Sequence, residues 1–264
     1  MSPPVLIRQD GPVLHLTLNR PAQRNPLSVA MVQALREALA AAEAGGTVRV
    51  VVLRGAGGHF CAGGDIQDMA VARAQLDTDP KAIERLSAAF GELCVAFAYS
   101  PLATVAVLEG TVMGGGFGLA CVTDVALAGQ SVAFRLPETS LGLPPAQIGP
   151  FLVERIGYAE AKRLAVTGAK LGADEALALR LVHEVHPDAA LDAALARVLA
   201  DILRCAPGAV ASTKALLARA RHHAPAALVH EAAEAFSAAV LGPEGVEGTS
   251  AFVAKRVPNW AAGA

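Results

Sequence analysis

The sequence predicts an α/β fold of stacked β-β-α units with parallel strands, followed by a helical C-terminal region. Apolar strand-like runs alternate with helix-like segments as far as about residue 185. From Asp188 onward only helical patterns remain, and each begins at a proline or an acidic residue. We therefore divide the chain into an α/β core, residues 1–187, and a helical region, residues 188–264.

The first elements are defined by turn residues and apolar runs. Val5–Arg8 and Val13–Leu18 flank a Gly-Pro turn and predict a β-hairpin. Ser28 is placed to cap an amphipathic helix that ends near residue 44. The run Val48–Leu53, apolar except for Arg49, predicts a strand that is buried on both faces.

The later elements follow the same alternation. Apolar residues at helical spacing predict a helix over Lys81–Tyr99 that ends at Pro101. Strands are predicted at Leu102–Leu108 and Val122–Ala128, with a glycine turn and a short helix between them. The predicted helices of the C-terminal region are Leu191–Leu203, Pro207–Arg221, Pro225–Leu241 and Pro243–Lys255.

Two glycine-rich turns each follow a predicted strand. The first, Phe60–Ile66, follows Val48–Leu53, and the second, within Thr111–Asp124, follows Leu102–Leu108. Glycines let a backbone approach a ligand closely and leave its N–H groups unshielded. A glycine cluster after a strand is often only a tight connection, but two such turns could direct two N–H groups at one oxygen, as in an oxyanion hole.

The spacing of the second turn argues against nucleotide binding. Gly114, Gly116 and Gly118 read G-x-G-x-G, whereas the dinucleotide fingerprint requires G-x-G-x-x-G with its first glycine at the end of a strand. Five residues separate Leu108 from Gly114, and no Walker lysine follows either turn. The sequence therefore predicts neither a Rossmann nor a P-loop site.

Composition excludes several further classes. The 264 residues carry 22 basic and 24 acidic side chains, which provide no positive field for nucleic acid. No apolar run reaches membrane-spanning length, and residues 1–10 do not have the layout of a signal peptide. Four separated cysteines predict reduced thiols in a cytoplasmic protein. His183-x-x-His186 and His222-His223 lack partner ligands, so no metal site is expected.

A series of motifs points to a known family. In chain order they are Asn19-Arg20-Pro21, Arg24-Asn25, Phe60–Asp65, Gly114–Gly116 with Asp124, Pro137-Glu138 with Gly142, and Glu247–Arg256. Together they resemble the crotonase (enoyl-CoA hydratase/isomerase) superfamily over essentially the whole chain. Leu143–Phe151 and Met113–Ala120 are further similar to the isohexenylglutaconyl-CoA hydratase branch of acyclic terpene catabolism. The resemblance implies a crotonase-type spiral of β-β-α units with a C-terminal helical trimerisation region.

The resemblance implies an acyl-CoA enzyme that stabilises a thioester enolate. By motif position the two oxyanion-hole donors are the N–H groups of Gly64 and Gly115. Hydratases of this family carry two catalytic glutamates, and Gly118 stands at the position of the first. The second is kept as Glu138, which we expect to be the main proton-transfer residue.

Three other interpretations of Gly118 and Glu138 stay open. A single carboxylate suits a Δ3,Δ2-enoyl-CoA isomerase, which moves a proton from one carbon to another. Loss of the carboxylate at position 118 could instead leave an acyl-CoA-binding homologue without turnover. Glu138 could also be a surface carboxylate that caps the following turn.

The resemblance also implies contacts to coenzyme A, which enters as part of the substrate and not as a separate cofactor. The residues at those positions are Arg24, Ala62, Gly64, Asp65, Ile66, Gln67 and Lys255. Gln67 stands where family members often carry a lysine, and Arg24 is placed to meet the pyrophosphate. Lys255 belongs to a basic pair with Arg256 that often reaches a neighbouring subunit's ligand, and we expect a homotrimer or a dimer of trimers.

Six further polar residues lie near these motifs. Gln147 could orient water or a substrate carboxylate, and Arg135 could bind a second carboxylate of a glutaconyl-type ester. For these two residues, and for His59 and Asp68, the ordinary role of a solvated or capping side chain is favoured. Asp65 and Asp124 are expected to be structural, because each can cap backbone N–H groups beside a glycine turn.

Overall fold

The computed structural model describes residues 2–262 and has the mixed α/β fold that the sequence predicts. It contains two compact units, one formed by the residues up to Ala98 with Thr104–Leu195, and the other by Tyr99–Ala103 with Ala196–Ala264. This division falls inside a helix, a few residues after the boundary that we placed at 187/188 from the change in pattern. The boundary at 187/188 stays a prediction.

The first unit holds nine strands and seven complete helices among the described residues. They are β1 Val5–Asp10, β2 Val13–Leu18, α1 Val29–Gly45, β3 Val50–Gly55, α2 Ile66–Ala74, α3 Ala82–Ala98, β4 Ala103–Leu108, β5 Thr111–Met113, α4 Gly115–Val122, β6 Val125–Gly129, β7 Ala133–Arg135, α5 Gly149–Ile156, α6 Tyr158–Thr167, β8 Lys170–Leu171, α7 Ala173–Ala178 and β9 Glu184–His186.

The strands form two sheets. The larger has six strands in the order β1-β2-β3-β4-β6-β9, and the smaller has the order β5-β7-β8. The predicted hairpin of β1 and β2 is confirmed as an antiparallel pair. Pairs β2–β3, β4–β6 and β6–β9 are parallel, as expected for strands joined by crossover helices.

The core lies on both faces of the larger sheet. Val50, Val51, Val52 and Leu53 of β3 are each 0–1% exposed, which confirms that this apolar run is buried on both faces. The strand itself runs two residues later than the apolar run predicts, from Val50 to Gly55. Ser28 caps α1 by accepting a hydrogen bond from the N–H of Met31, as predicted.

Successive β-β-α units place the glycine turns side by side. A strand of the larger sheet is followed by a short strand of the smaller layer and then by a turn, as in β4, β5 and α4. The first glycine turn repeats this layout without a full strand, because Cys61 forms a single parallel bridge to Val112 of β5. Parallel neighbours end at the same edge, so the residues that follow Cys61, β5 and β7 meet there.

The second unit is helical, as predicted. Its helices are α8 Leu191–Leu203, which begins in the first unit, α9 Pro207–Ala220, α10 Val229–Leu241 and α11 Pro243–Val253. The predicted start of α10 at Pro225 is wrong, because Pro225–Leu228 form a separate 3-10 turn. The predicted end of α11 at Lys255 is also two residues late, since Lys255 adopts a left-handed φ of 52°.

Among residues 2–262, no helix is both long enough and apolar enough to span a bilayer.

Candidate active site

The two glycine turns lie in direct contact. A Cβ on Gly63 would lie 3.3 Å from the carbonyl oxygen of Met113, and a Cβ on Gly114 would lie 3.4 Å from the Cα of Gly63. Both glycines have positive φ angles, 104° for Gly63 and 48° for Gly114. Only residues without a Cβ allow the two backbones to approach this closely.

Two backbone N–H groups are left unpaired at this contact. Leu27 brackets the first turn, because its N–H donates to the carbonyl of Gly63 and its carbonyl accepts from Asp65. The N–H of Gly64, between those two, has no hydrogen-bond acceptor within the described residues. The N–H of Gly115 opens α4 and likewise has no acceptor there, as expected for the first turn of a helix.

Glu138 lies beside the second glycine turn. Its Oε1 is 2.7 Å from the position that a Cβ on Gly114 would occupy. The parallel pairing of β5 with β7 explains this placement, because Met113 is opposite Arg135 and the N–H of Gly114 donates to the carbonyl of Arg135. Glu138 then follows β7 at the edge where Gly114 follows β5.

Burial sets the protonation behaviour of Glu138. Its Oε2 is buried and has no hydrogen-bond partner among residues 2–262. Loss of water around the carboxylate raises the pKa of Glu138 above its usual value. A half-buried carboxyl with a raised pKa beside two unpaired N–H groups has the properties of a general base that can also return its proton.

Gly118 is enclosed by apolar side chains. A Cβ at this position would lie 3.2 Å from Cζ of Phe90, on α3, and 3.2 Å from Cγ1 of Ile148. The N–H of Gly118 is used within α4, where it donates to the carbonyl of Gly114. The space into which a longer side chain at position 118 would extend is therefore already occupied.

The Asn19–Asn25 motif holds the first glycine turn in place. Asn25 is 0% exposed and has a φ of 57°. Its side-chain N–H groups donate to the carbonyls of Ala56 and His59, and its Oδ1 accepts from the N–H of Arg20. The guanidinium of Arg20 pairs with Asp65, which caps α2 directly after Gly64.

Comparison with known proteins agrees with this geometry. The family model described as enoyl-CoA hydratase/isomerase matches residues 8–263. The chain belongs to the enoyl-CoA hydratase/isomerase family. A 2,3-dehydroadipyl-CoA hydratase of Escherichia coli (strain K12) is 33% identical over 98% of this chain and 99% of that protein. The resemblance that the motifs indicated is thereby confirmed, and the chain is an enoyl-CoA hydratase/isomerase that acts in acyl-CoA catabolism.

Solved structures show the same fold at higher identity. A crystal structure of an enoyl-CoA hydratase/isomerase from Marinobacter aquaeolei is 48% identical, with a TM-score of 0.94 over 98% of this chain and 99% of that chain. Pseudomonas aeruginosa AtuE is 52% identical, with the same TM-score and coverage. The crotonase-type spiral that the family resemblance implied is thus the fold of this chain.

Four of the residues that the resemblance implies for coenzyme A are exposed around the first turn, namely Arg24, Gly64, Ile66 and Gln67, whereas Asp65 is buried. Arg24 is exposed with a φ of 60°, and its carbonyl accepts from the N–H of Ala62. Ile66 and Gln67 form the exposed first residues of α2. Lys255, in the second unit, is exposed, and its contact to coenzyme A stays a prediction, as do the contacts of the other residues.

Asp65 and Asp124 both have structural partners. Asp65 accepts from the N–H of Gln67 as the cap of α2. Burial alone would raise the pKa of Asp65, but the hydrogen bond and charge of Arg20 together with the backbone N–H groups of Gln67 and Asp68 lower it below its usual value. We had expected Asp124 to cap N–H groups beside a glycine turn, but its Oδ2 accepts from the N–H and hydroxyl of Thr104, near the start of β4. It ties two neighbouring strands of the larger sheet together.

The other polar candidates are engaged by backbone or side-chain groups. The Oδ2 of Asp68 accepts from the N–H of Val29 and so supports the start of α1. The Nδ1 of His59 accepts from the N–H of Thr111. The Nε of Arg135 donates to the carbonyl of Gly168. These contacts agree with the ordinary roles that we favoured for the three residues.

Gln147 reaches helix α3. Its Nε2 donates to the hydroxyl of Ser87 at 3.2 Å, and its amide lies in the space that a side chain on Gly91 would fill. The contact holds Gln147, and with it Ile148, against α3. Sequence reasoning did not find this contact or the role of Phe90, because helical spacing identifies a face of α3 but not its partner.

The cysteines do not offer a nucleophile at the site. Cys61 lies behind the first glycine turn, and burial raises the pKa of its thiol to about 12. Its sulfur accepts from the N–H of Gly63 and occupies the space beside Gly116. No group of three or more His, Cys, Asp or Glu side chains that could hold a metal ion occurs in residues 2–262.

Proposed function

We propose that this enzyme hydrates an enoyl-CoA thioester with Glu138 as its single catalytic carboxylate. The observation that carries the proposal is the position of Glu138. Its carboxyl lies beside Gly114, and its Oε2 is buried without a hydrogen-bond partner among residues 2–262. The free N–H groups of Gly64 and Gly115 supply the two oxyanion-hole donors. The relative named 2,3-dehydroadipyl-CoA hydratase supports hydration as the reaction.

The reaction then proceeds in two balanced steps. The carboxylate of Glu138 takes a proton from water while the hydroxyl oxygen bonds to the β-carbon and the double-bond electrons move to the thioester oxygen. The resulting enolate oxygen accepts from Gly64 and Gly115. The neutral Glu138 then returns its proton to the α-carbon, which yields the 3-hydroxyacyl-CoA. A raised pKa suits this exchange, because the group must both accept and donate a proton.

Isomerisation is the second candidate, and the surroundings of Gly118 favour it. No second carboxylate can extend from this position while Phe90 and Ile148 fill the space. One carboxyl is enough to remove an α-proton from a 3-enoyl-CoA and to return it to the γ-carbon. The same oxyanion hole would stabilise the intermediate dienolate.

We further propose a branched, terpenoid-type acyl chain of the isohexenylglutaconyl class. The support is the similarity of Leu143–Phe151 and Met113–Ala120 to that branch of the family. The coenzyme A of the substrate is the only cofactor-like group that the proposed reaction needs.

We also propose an assembly and a compartment. Exposed apolar side chains on α10 and α11 support a homotrimer or a dimer of trimers, and Lys255 would serve a bound ligand from this helical region. Four free thiols support a reducing, cytoplasmic compartment.

The function is tested by spectrophotometry with a panel of 2-enoyl- and 3-enoyl-CoA esters. Loss of conjugation with 2-enoyl esters supports hydration, and gain of conjugation with 3-enoyl esters supports isomerisation. In Glu138→Gln we expect turnover to fall by roughly 10²–10⁴-fold while the Kd for a saturated acyl-CoA is nearly unchanged. Full activity of this variant would remove Glu138 from the mechanism, and tight binding without turnover by the parent would favour a binding protein.

A further inference from the structure

One face of α4 is covered by three apolar side chains. Gly115 and Gly118 are three residues apart and lie on the same face of this helix. A Cβ on Gly115 would lie 2.8 Å from Cδ1 of Leu27 and 3.3 Å from Cζ of Phe90. The same Phe90 Cζ is 3.2 Å from the corresponding position on Gly118. The tip of the Phe90 ring therefore lies next to both Gly115, the proposed oxyanion donor, and Gly118, which replaces the family's first glutamate.

Phe90 differs from its neighbours in exposure. Leu27 is 6% exposed and Ile148 is 4% exposed, so both residues are buried in the protein. Phe90 has intermediate exposure although its tip is in contact with α4. Phe90 is thus less enclosed than Leu27 and Ile148, and the tip of its ring lies beside Gly115, the proposed oxyanion donor.

We infer that Phe90 is a specificity-determining residue that limits the bulk of the acyl group next to the thioester carbonyl. This inference rests on the proposed function, because it takes the N–H of Gly115 as the point where the thioester oxygen binds. A ring fixed against Gly115 leaves room for a flat, unsubstituted α-carbon on that side. A methyl branch at the α-carbon would collide with it, and an apolar ring also offers no hydrogen bond to water there.

The ring cannot move aside easily. Beside Gly118, Cγ1 of Ile148 and the tip of Phe90 each lie 3.2 Å from the position that a Cβ would occupy. The neighbour of Ile148, Gln147, is bound to Ser87 and lies against Gly91 of the same helix α3. The helix that carries Phe90 and the segment that carries Ile148 are therefore tied together one turn from the ring. Because the two segments are tied together, we expect the ring of Phe90 to keep its position when a ligand binds.

The test compares crotonyl-CoA with its α-methyl analogue, tiglyl-CoA, in the full-length protein. We expect Phe90→Ala to raise the ratio of kcat/KM for tiglyl-CoA over crotonyl-CoA by about tenfold or more, since one methyl group in an apolar pocket is worth at least that factor. The Kd ratio of the saturated esters, 2-methylbutanoyl-CoA and butanoyl-CoA, should move in the same direction. Val95→Ala, a truncation of an exposed side chain on the same helix, should leave both ratios unchanged.

The possible outcomes separate the two proposals. If the parent converts crotonyl-CoA and both ratios stay within twofold in Phe90→Ala, the inference is overturned while the proposed function stands. If the parent neither binds these esters nor converts any ester of the 2-enoyl- and 3-enoyl-CoA panel, the proposed function itself fails. Phe90→Leu, which keeps an apolar side chain in the core, replaces Phe90→Ala if circular dichroism shows that the alanine variant is unfolded, and a smaller shift of the same sign is then expected.

Discussion

At the scale of single residues, the site contains groups that the fold leaves unpaired. The carboxyl oxygen of Glu138 and the N–H groups of Gly64 and Gly115 have no partner within residues 2–262. Gly64 is exposed, but Gly115 and the Oε2 of Glu138 are buried, and unpaired polar groups in buried positions destabilise a folded protein. Such groups are expected at a site where a substrate supplies the missing hydrogen-bond partners. Because they lower the stability of the free protein, their role can be tested by unfolding measurements without substrate.

Replacement of Glu138 by glutamine should stabilise the protein in a pH-dependent way. Burial raises the pKa of the folded-state carboxyl, whereas the unfolded chain titrates near the ordinary value of about 4.3. Below that value the carboxyl is neutral in both states. As the pH rises through the folded-state pKa, the parent loses stability because only the unfolded chain ionises freely. We expect the difference in Tm, Glu138→Gln minus parent, to grow from pH 4 to pH 8.

Thermal unfolding across that pH range measures the effect. Glu84→Gln removes an exposed negative charge from α3 and controls for a change of net charge alone. A difference in Tm for Glu138→Gln that is flat with pH would mean that the carboxyl is solvated in the folded protein.

Removal of the Gly115 donor should lower catalysis. Proline lacks an N–H and is tolerated at the first position of a helix, but its Cβ would lie 2.8 Å from Cδ1 of Leu27. The substitution is therefore best made with Leu27→Ala, and Leu27→Ala alone is the matched control. We expect kcat/KM to fall by a further 10²–10³-fold, or about 3–4 kcal/mol of barrier. Equal rates in the two variants would exclude Gly115 as an oxyanion donor.

At the scale of elements, the site depends on three segments that end at the same edge of the smaller sheet layer. These are the segments that lead into the first glycine turn, the second glycine turn and Glu138. The parallel pairing of Cys61, β5 and β7 aligns the ends of these segments. The first turn has the shortest pairing, a single bridge, and takes additional support from Asn25 and from Arg20 with Asp65. Asn25 and Arg20 of this motif thus act by holding the backbone of the first turn in place.

Asn25→Ala should be strongly destabilising. It removes the hydrogen bonds to the partly buried carbonyls of Ala56 and His59 and from the N–H of Arg20, and it places alanine at a φ of 57°. We expect a loss of at least about 2 kcal/mol in the free energy of unfolding, measured with denaturant. Gln23→Ala, an exposed residue of the same loop, should change it by less than about 0.5 kcal/mol. Similar values for the two variants would contradict this account of the loop.

At the scale of the whole molecule, the C-terminal helices carry apolar surface that the monomer does not cover. Phe236 and Leu241 on α10 are 72% and 78% exposed, and Phe252 and Val253 on α11 are 85% and 81% exposed. Large apolar side chains at such exposure are typical of subunit interfaces. They are the physical basis of the proposed trimer.

Light scattering should therefore give a mass of three or six times the 26.9 kDa of one chain. The double change Phe236→Glu with Phe252→Glu should release monomers at micromolar concentration, because burying unpaired carboxylates in an interface is unfavourable. Val166→Glu, at a 71% exposed position of α6, is the control for an added surface charge. A monomeric parent at the same concentration would overturn the proposed assembly.

By itself, the sequence determined the elements and the family. Strand runs, caps and glycine turns are local signals, so the strand β3, the cap at Ser28 and both turns could be predicted to within two residues. Only the tertiary structure decided what lies against Gly118, how deeply Glu138 is buried and which glycine N–H groups stay free. These properties depend on contacts between successive units of the spiral. Residues such as Phe90 and Gly118 lie far apart in the chain, and no local pattern records which pair will meet.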